Sequence, residues 1–309
     1  MRDCLPTMSA ALSMLKVLLG ALLLAALGAG AARAQVTAVD DTGRTIRLDH
    51  PARRIVSLAP HITEQLYAAG AGAYLVGAVE YSDFPPEARR IPRVGDSSAI
   101  DVERLLSLKP DLVVAWSQGN PDRQLEQLLS VGLRVYFSQP HTLEDIGSSL
   151  ERLGALAGTG RAAGEAARSF RERVRNLRER YAGREPVTVF YQIWNRPLYT
   201  VSGQQIISDV IRLCGGRNIF AGLAVLAPAV TQEAVLKADP VAIVASADGG
   251  ARPDWLDEWK AWPDLRAVRL GNLYTLDANL MHRHGPRIAE GAQQLCEVLD
   301  TARSRKNGR

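Results

Sequence analysis

From Thr159 to Tyr181 the apolar residues Ala163, Ala166, Ala167, Phe170, Val174, Leu177 and Tyr181 recur with the period of an α-helix. The other side of the stretch carries Arg161, Glu165, Arg168, Arg171, Glu172, Arg175, Arg178 and Glu179, so the spacing predicts an amphipathic helix with its charged face in water. At roughly 1.5 Å per residue it would span about 35 Å, the breadth of a small domain. Short β runs alternate with helices on both sides of it. A strut of that length between two such regions implies two α/β lobes with room for a ligand between them.

The alternation can be placed. Before the strut, strands are predicted over 54–58, 74–79, 112–116 and 134–137, with helices over 63–69, 101–108, 121–131 and 142–157. After it come strands over 187–193, 241–245 and 272–276, helices over 204–213, 231–238 and 286–302, and a tryptophan-rich helical stretch near 255–262. Strands separated by helices make parallel, helix-covered sheets. The expected fold is α/β, with two Rossmann-like lobes at 35–158 and 183–309, a rigid connecting helix at 159–182 and the cleft between them. The lead VTAVDDTGRTIRLDHP reads as a small hairpin turning at Thr42 and Gly43.

The two halves share an echo. DVERLLSLKPDLVVA from Asp101 and TQEAVLKADPVAIVA from Thr231 each run as cap, acid, apolar helix, proline and buried strand. Asp101 and Thr231 are suitable N-caps, which puts Glu103 and Glu233 at the second helical position of their helices.

With 309 residues, 47% of them hydrophobic, the chain can bury two cores. The first 34 residues read as an export signal. Lys16 precedes the apolar run VLLGALLLAALGAGA and Ala32-Arg33-Ala34 supplies a cleavage site, so the mature chain is expected to begin at Gln35 in the periplasm. No cysteine follows the run, so a lipid anchor is not expected. About half of the net charge of +4 leaves with the signal, and Arg303, Arg305, Lys306 and Arg309 sit on a tail expected to fray. No basic stripe remains for nucleic acid. Cys4 also leaves, and Cys214 and Cys296 are expected to pair in an oxidising compartment.

Gly70-Ala71-Gly72 follows a helix and lacks a third glycine, so it is not a dinucleotide fingerprint. There is no Walker loop and no nucleophile elbow. No enzyme activity and no cofactor are expected. His50, His61, His141, His282 and His284 lack carboxylate or thiol partners at zinc spacing, so they are not read as a metal centre; His61 or His282 is expected to touch the ligand and the others to be ordinary polar loop residues.

In open α/β sheets the ligand meets the loops at the carboxyl ends of the strands. From the first lobe these are Pro60 and His61, Tyr81, and Trp116 to Asn120. From the second they are Trp194, Asn195 and Tyr199, then Asp277 to Arg283, within which Asn279 and Arg283 are polar candidates. The aromatic side chains suit a broad, flat ligand, because each offers a rigid face with little entropy to lose.

The blocks RIVSLAPHITEQLYAAGAG, EYSDFPPEAR, DVERLLSLKPDLVVAW, RLCGGRNIF, TQEAVLKADPVAIV and HGPRIAEGAQQLC resemble the periplasmic substrate-binding proteins with one helical hinge that feed ATP-binding cassette importers, most of all the cobalamin-binding ones. The resemblance implies a corrinoid ligand met by Tyr81, Trp116 and Tyr199, and a monomer that closes little on binding. It also implies docking of Glu103 and Glu233 onto an inner-membrane permease dimer. Where the family carries two further tryptophans this chain has Ser97 and Ala227, and Trp194 with the group Trp255, Trp259 and Trp262 is expected to compensate. A haem or siderophore binder on the same scaffold is the alternative, and a metal-centre enzyme on paired lobes a more distant one.

Overall fold

The structure, a computed structural model, describes residues 35–308; the expected signal peptide at 1–34, with Cys4, lies outside them. The chain enters through an antiparallel hairpin, β1 (Val36–Val39) and β2 (Thr45–Leu48), that turns at Gly43 with φ of 83°. The Asp40 carboxylate accepts from the amides of Thr42 and Arg44 and fixes that turn. Ile46 and Leu48 point into the first lobe's core.

In the first lobe β3 (Ile55–Ser57), α1 (Pro60–Ala68), β4 (Leu75–Ala78), α2 (Val102–Ser107), β5 (Leu112–Trp116), α3 (Asp122–Ser130) and β6 (Val135–Ser138) build a parallel sheet of order β4-β3-β5-β6. Two long helices follow, α4 (Leu143–Ala157) and α5 (Gly160–Tyr181). The second lobe comprises β7 (Val187–Gln192), α6 (Ile206–Leu213), β8 (Gly216–Asn218), α7 (Gln232–Ala238), β9 (Ala242–Ala247), α8 (Arg266–Arg269) and β10 (Leu273–Asp277). Its sheet is also parallel, with order β10-β9-β7-β8, the same order read from the other edge. The short helix α9 (Ala278–Met281) and the long α10 (Ile288–Lys306) complete the chain.

Alternate residues along each strand enter opposite core layers. Ile55, Leu112 and Val114 share one layer with α1, while Val56, Val113 and Ala115 share the other with α2 and α3. In the second lobe Val189, Tyr191 and Val244 face α6 and α10, and Phe190, Ile243 and Ala245 face α7 and the tryptophan-rich turns. Strands buried on both faces are what a near-continuous apolar run requires.

Topology makes the sequence echo a spatial one, since α2-β5 and α7-β9 are equivalent units. Asp101 accepts from the Arg104 amide at 2.9 Å and Thr231 from the Ala234 amide at 3.2 Å. The match extends to the backbone, because Lys109 and Asp239, each just before a proline, both take positive φ, 46° and 41°. Proline disfavours the right-handed helical region for the residue before it, so both helices end there.

The connecting helix does not span the lobes alone. Ala163 and Ala167 of α5 lie in the first lobe's core, and Phe170, Val174 and Tyr181 in the second's. The preceding helix α4 runs antiparallel beside it and does the same in reverse. Its Leu143 and Ile146 are in the second lobe's core and its Leu150, Leu153 and Leu156 in the first's. A Thr142–Asp145 capping box starts α4, and the Leu143 amide donates to Asp209 of α6 at 2.9 Å. Gly154 lets the pair close up: a Cβ there would stand 2.1 Å from the Ala163 side chain. Arg171 spans α5 and α4, pairing with Glu144 at 2.8 Å and Glu151 at 2.7 Å.

Three expectations are corrected. The C-terminal tail does not fray, since α10 runs on to Lys306. Arg303 is buried, with Nε donating to the Glu185 carbonyl at 2.6 Å, and Lys306 pairs with Glu185 at 2.6 Å. Strand β8 was not among the expected strands; Gly215, with φ of 69°, ends the helix, and three residues of unremarkable strand propensity then pair with β7. The group Trp255, Trp259 and Trp262 packs into the second lobe's core against Phe190 and Ile243. Its centre, Trp259, is 3% exposed and donates to Gln192 Oε1 at 2.8 Å, so the group does not supply cleft aromatics.

Candidate functional site

The carboxyl ends of the strands bring the candidates onto facing edges of the two lobes. In the first lobe helix α1 begins at Pro60, three residues before the expected start at Thr63, because proline at the first helical position loses no hydrogen bond and has its φ preset. His61 thus stands in the first turn, 3% exposed, not in a loop. At the end of β5, Asn120 ties down the Trp116 loop: its Oδ1 accepts from the Trp116 amide at 2.6 Å, and its Nδ2 donates to the carbonyls of Leu58 and Ser97 at 2.9 Å. Trp116 meets His61 edge-on, ring centroids 5.3 Å apart. After β4, Tyr81 has φ of 62° and is 75% exposed. A left-handed tyrosine carries a backbone cost of order 1 kcal/mol, which persists where the side chain is needed in that place.

The second lobe offers Trp194 and Tyr199 on a narrow loop closed by two backbone bonds, Ile193 N–H to the Tyr199 carbonyl and Tyr199 N–H to the Trp194 carbonyl. Trp194 is 59% and Tyr199 36% exposed. The following segment, paired to Thr200 and Ser202, leaves Leu223, Val225 and Ala227 exposed beside them. Asn195 turns instead toward Glu258 at 3.3 Å. Asn279 sits in α9, its amide bonded to the Asp277 carboxylate at 2.9 Å. Among the described residues the exposed aromatic side chains are Tyr81, Phe84, Trp194 and Tyr199. All four follow the carboxyl ends of strands, two in each lobe.

Below these rings the lobes meet through charges. Glu64 of α1, 3% exposed, accepts from Arg283 Nη1 at 3.1 Å and from Arg287 Nε at 2.9 Å and Nη2 at 2.6 Å. Arg283 also donates to Asp83 at 2.6 Å, and Arg287 lies 3.9 Å from the centroid of the Phe84 ring. Burial opposes ionisation of Asp83, but Arg283 outweighs it and holds the carboxyl below its ordinary range. Gln65 donates to the His284 carbonyl at 2.6 Å. Arg283 was among the sequence candidates; Glu64, Gln65, His284 and Arg287 were not. A carboxylate and an amide inside a helix starting PHITEQL give no sign of what they bind until residues some 220 positions away are folded against them.

Burial holds His61, His282 and His284 neutral. Burial lowers His284 to about 4, with the neighbouring His282 and His141 adding to the effect. His282 is likewise lowered by burial to about 4 and pairs with Ser246 Oγ at 2.7 Å. His61 is lowered by burial, then by His284 and Arg283. His61 Nε2, His284 Nδ1 and Trp116 Nε1 have no protein hydrogen-bond partner.

Two further sequence candidates lie outside the cleft. Glu103 and Glu233 are exposed at the first turns of the equivalent helices α2 and α7. The backbone amide and Thr231 at that helix start hold the Glu233 carboxyl below its ordinary range. Cys214 and Cys296 are bonded to each other, with Cα atoms 4.6 Å apart, joining the end of α6 to α10.

Comparison with known proteins gives the family and the fold. Residues 55–280 match the family described as periplasmic binding protein. The chain is 43% identical over 247 residues to the vitamin B12-binding protein of Photorhabdus laumondii, covering 80% of this chain and 88% of that one. Against the vitamin B12-binding protein of Vibrio cholerae it is 40% identical over 253 residues, covering 82% and 91%. The crystal structure of the V. cholerae protein superposes with a TM-score of 0.75, covering 82% of this chain and 98% of that one. A periplasmic haem-binding protein from Pseudomonas aeruginosa is more distant, at 27% identity and a TM-score of 0.69, covering 79% and 91%.

Proposed function

The chain belongs to the periplasmic binding protein family, and on that basis we propose that it captures cobalamin or a related corrinoid in the periplasm and delivers it to an inner-membrane ATP-binding cassette importer. It is a transport component, with the ligand stored between the lobes and released unchanged. The observation that carries the corrinoid reading is the placement of exposed aromatics. Large apolar rings seldom stand this exposed on a soluble protein unless a partner covers them, and here Tyr81 and Phe84 of one lobe and Trp194 and Tyr199 of the other stand exposed after the carboxyl ends of strands, which supports one shared ligand slot. They suit a wide macrocycle, with Pro60, His61, Trp116, Asn279 and Arg283 deeper in the slot. No helix among the described residues is long and apolar enough to cross a membrane.

Glu103 and Glu233 are the acids that engage the permease. They project from equivalent helices of topologically matched lobes, as a receptor with twofold symmetry requires, and charge pairing of this kind sets register and on-rate more than affinity. The protein acts as a monomer, one copy bridging the two permease subunits. Titration of the apo-protein with cyanocobalamin, haem and a ferric siderophore, followed by tryptophan quenching, tests the ligand. Saturable quenching by cyanocobalamin alone supports the reading, and tighter binding of haem would replace it with the haem-binding alternative.

A further inference from the structure

Beyond the ligand-facing rings, the lobes share a buried ionic seam that the aromatic slot does not explain. Glu64 is a fully buried carboxylate with no partner in its own lobe. Both arginines that satisfy it come from the segment Arg283–Arg287 of the other lobe, and Arg283 returns to the first lobe through Asp83. The four charges balance, so neither lobe can leave the contact without stranding charge in a poorly hydrated place. The approach is close as well: a Cβ on Gly285 would lie 3.4 Å from Glu64 Oε2 and 3.6 Å from the His61 carbonyl. Gln65 adds its bond to the His284 carbonyl. The charged residues of this seam belong to neither core cluster, whereas the α4–α5 pair joins the cores themselves.

We infer that Glu64 is a positioning residue which, by gripping Arg283 and Arg287, sets the angle between the lobes and so the width of the aromatic slot. Two helices alone would leave the lobes free to rock about their long axis. A charged contact at the slot floor removes that freedom, because a carboxylate held by three directed N–H bonds tolerates little displacement. Phe84, stacked on Arg287, and Trp116, packed on His61 and His284, then inherit their places from the same contact.

The slot reading rests on the corrinoid proposal; the lobe angle does not, so the first measurement is made without ligand. Spin labels on Arg123→Cys and Lys237→Cys, exposed positions on α3 and α7, report the interlobe distance by pulsed electron resonance in the otherwise intact mature chain. Glu64→Gln is expected to broaden the distribution and lengthen its mean by several ångströms. Adding Arg287→Gln, which removes the stranded charge without rebuilding the grip, is expected to bring the mean back toward the parent while leaving the distribution broad, a split that a packing role would not give. With cyanocobalamin bound, Glu64→Gln is expected to raise the dissociation rate at least tenfold. An unchanged distance distribution in folded Glu64→Gln overturns the inference, whatever the corrinoid does. Should Glu64→Gln fail to fold, Arg287→Gln alone decides: broadening supports the role, and a parental distribution overturns it.

Discussion

His61 and His284 face each other across the boundary between the lobes, ring centroids 5.5 Å apart, each with one ring nitrogen that no protein group satisfies. Both are held neutral by burial, as is His282. Unfolding returns all three to an ordinary value near 6.5. Between that pH and about 4 the unfolded chain therefore binds more protons than the folded one, and stability falls as pH falls through the window. His282 and His284 each contribute a slope approaching about 1.4 kcal/mol per pH unit there, and His61 adds to it in the same direction. Urea midpoints measured from pH 7 to pH 4 are expected to drop, and His284→Gln to flatten the drop by about one proton's worth; a slope the same as the parent's would show that His284 does not control it.

Tyr81 combines exposure with a left-handed backbone. Replacing it by glycine removes the steric cost while raising the unfolded chain's entropy, so stability should stay within about 1 kcal/mol of the parent. Affinity for cyanocobalamin should fall about tenfold or more with the loss of the ring. Calorimetric titration beside thermal melting separates the two effects, and a variant that binds as the parent does would take Tyr81 out of the site.

Trp194 is 59% exposed, so its truncation leaves no cavity. Trp194→Ala is expected to weaken corrinoid binding by 10- to 100-fold, about 1.4 to 2.8 kcal/mol, with a melting temperature close to the parent's. Equal affinities by titration would mean that the ligand does not cover this ring.

Glu103 and Glu233 touch neither the slot nor a core. The double reversal Glu103→Lys and Glu233→Lys is expected to leave corrinoid affinity intact and to abolish corrinoid-dependent uptake in cells. Normal uptake would leave the two acids with no part beyond their favourable place at helix N-termini.

The Cys214–Cys296 bond closes a separation of 82 residues. On the chain-entropy account its removal costs about 4 to 5 kcal/mol. Denaturant titration of Cys214→Ser with Cys296→Ser against the oxidised parent measures this, and a loss below about 1 kcal/mol would mean that the unfolded chain is already compact over that stretch.

Much of the scaffold could be read from local chemistry. The period of Ala163 to Tyr181 defined α5, and the Asp101 and Thr231 caps located equivalent units in both lobes. The exposed positions of Tyr81, Trp194 and Tyr199 followed from strand ends, whereas Phe84 was not singled out. What could not be read was anything that depends on distant partners. Glu64 looks like any helical acid until Arg283 and Arg287 arrive, and Trp259 looks like a ligand ring until Gln192 claims its N–H. Arg303 in the apparent tail is tied to the carbonyls of Cys214 and Glu185, contacts that sequence spacing does not encode.

The crossing of α4 and α5 has a consequence for how this molecule can be divided. Leu143 and Ile146 precede the long helix yet complete the hydrophobic interior that follows it, while Ala163 and Ala167 do the reverse. A cut between Gly158 and Thr159 would hand each fragment an interior missing pieces carried away by the other. The two halves look like a tandem pair, but neither carries a complete interior of its own.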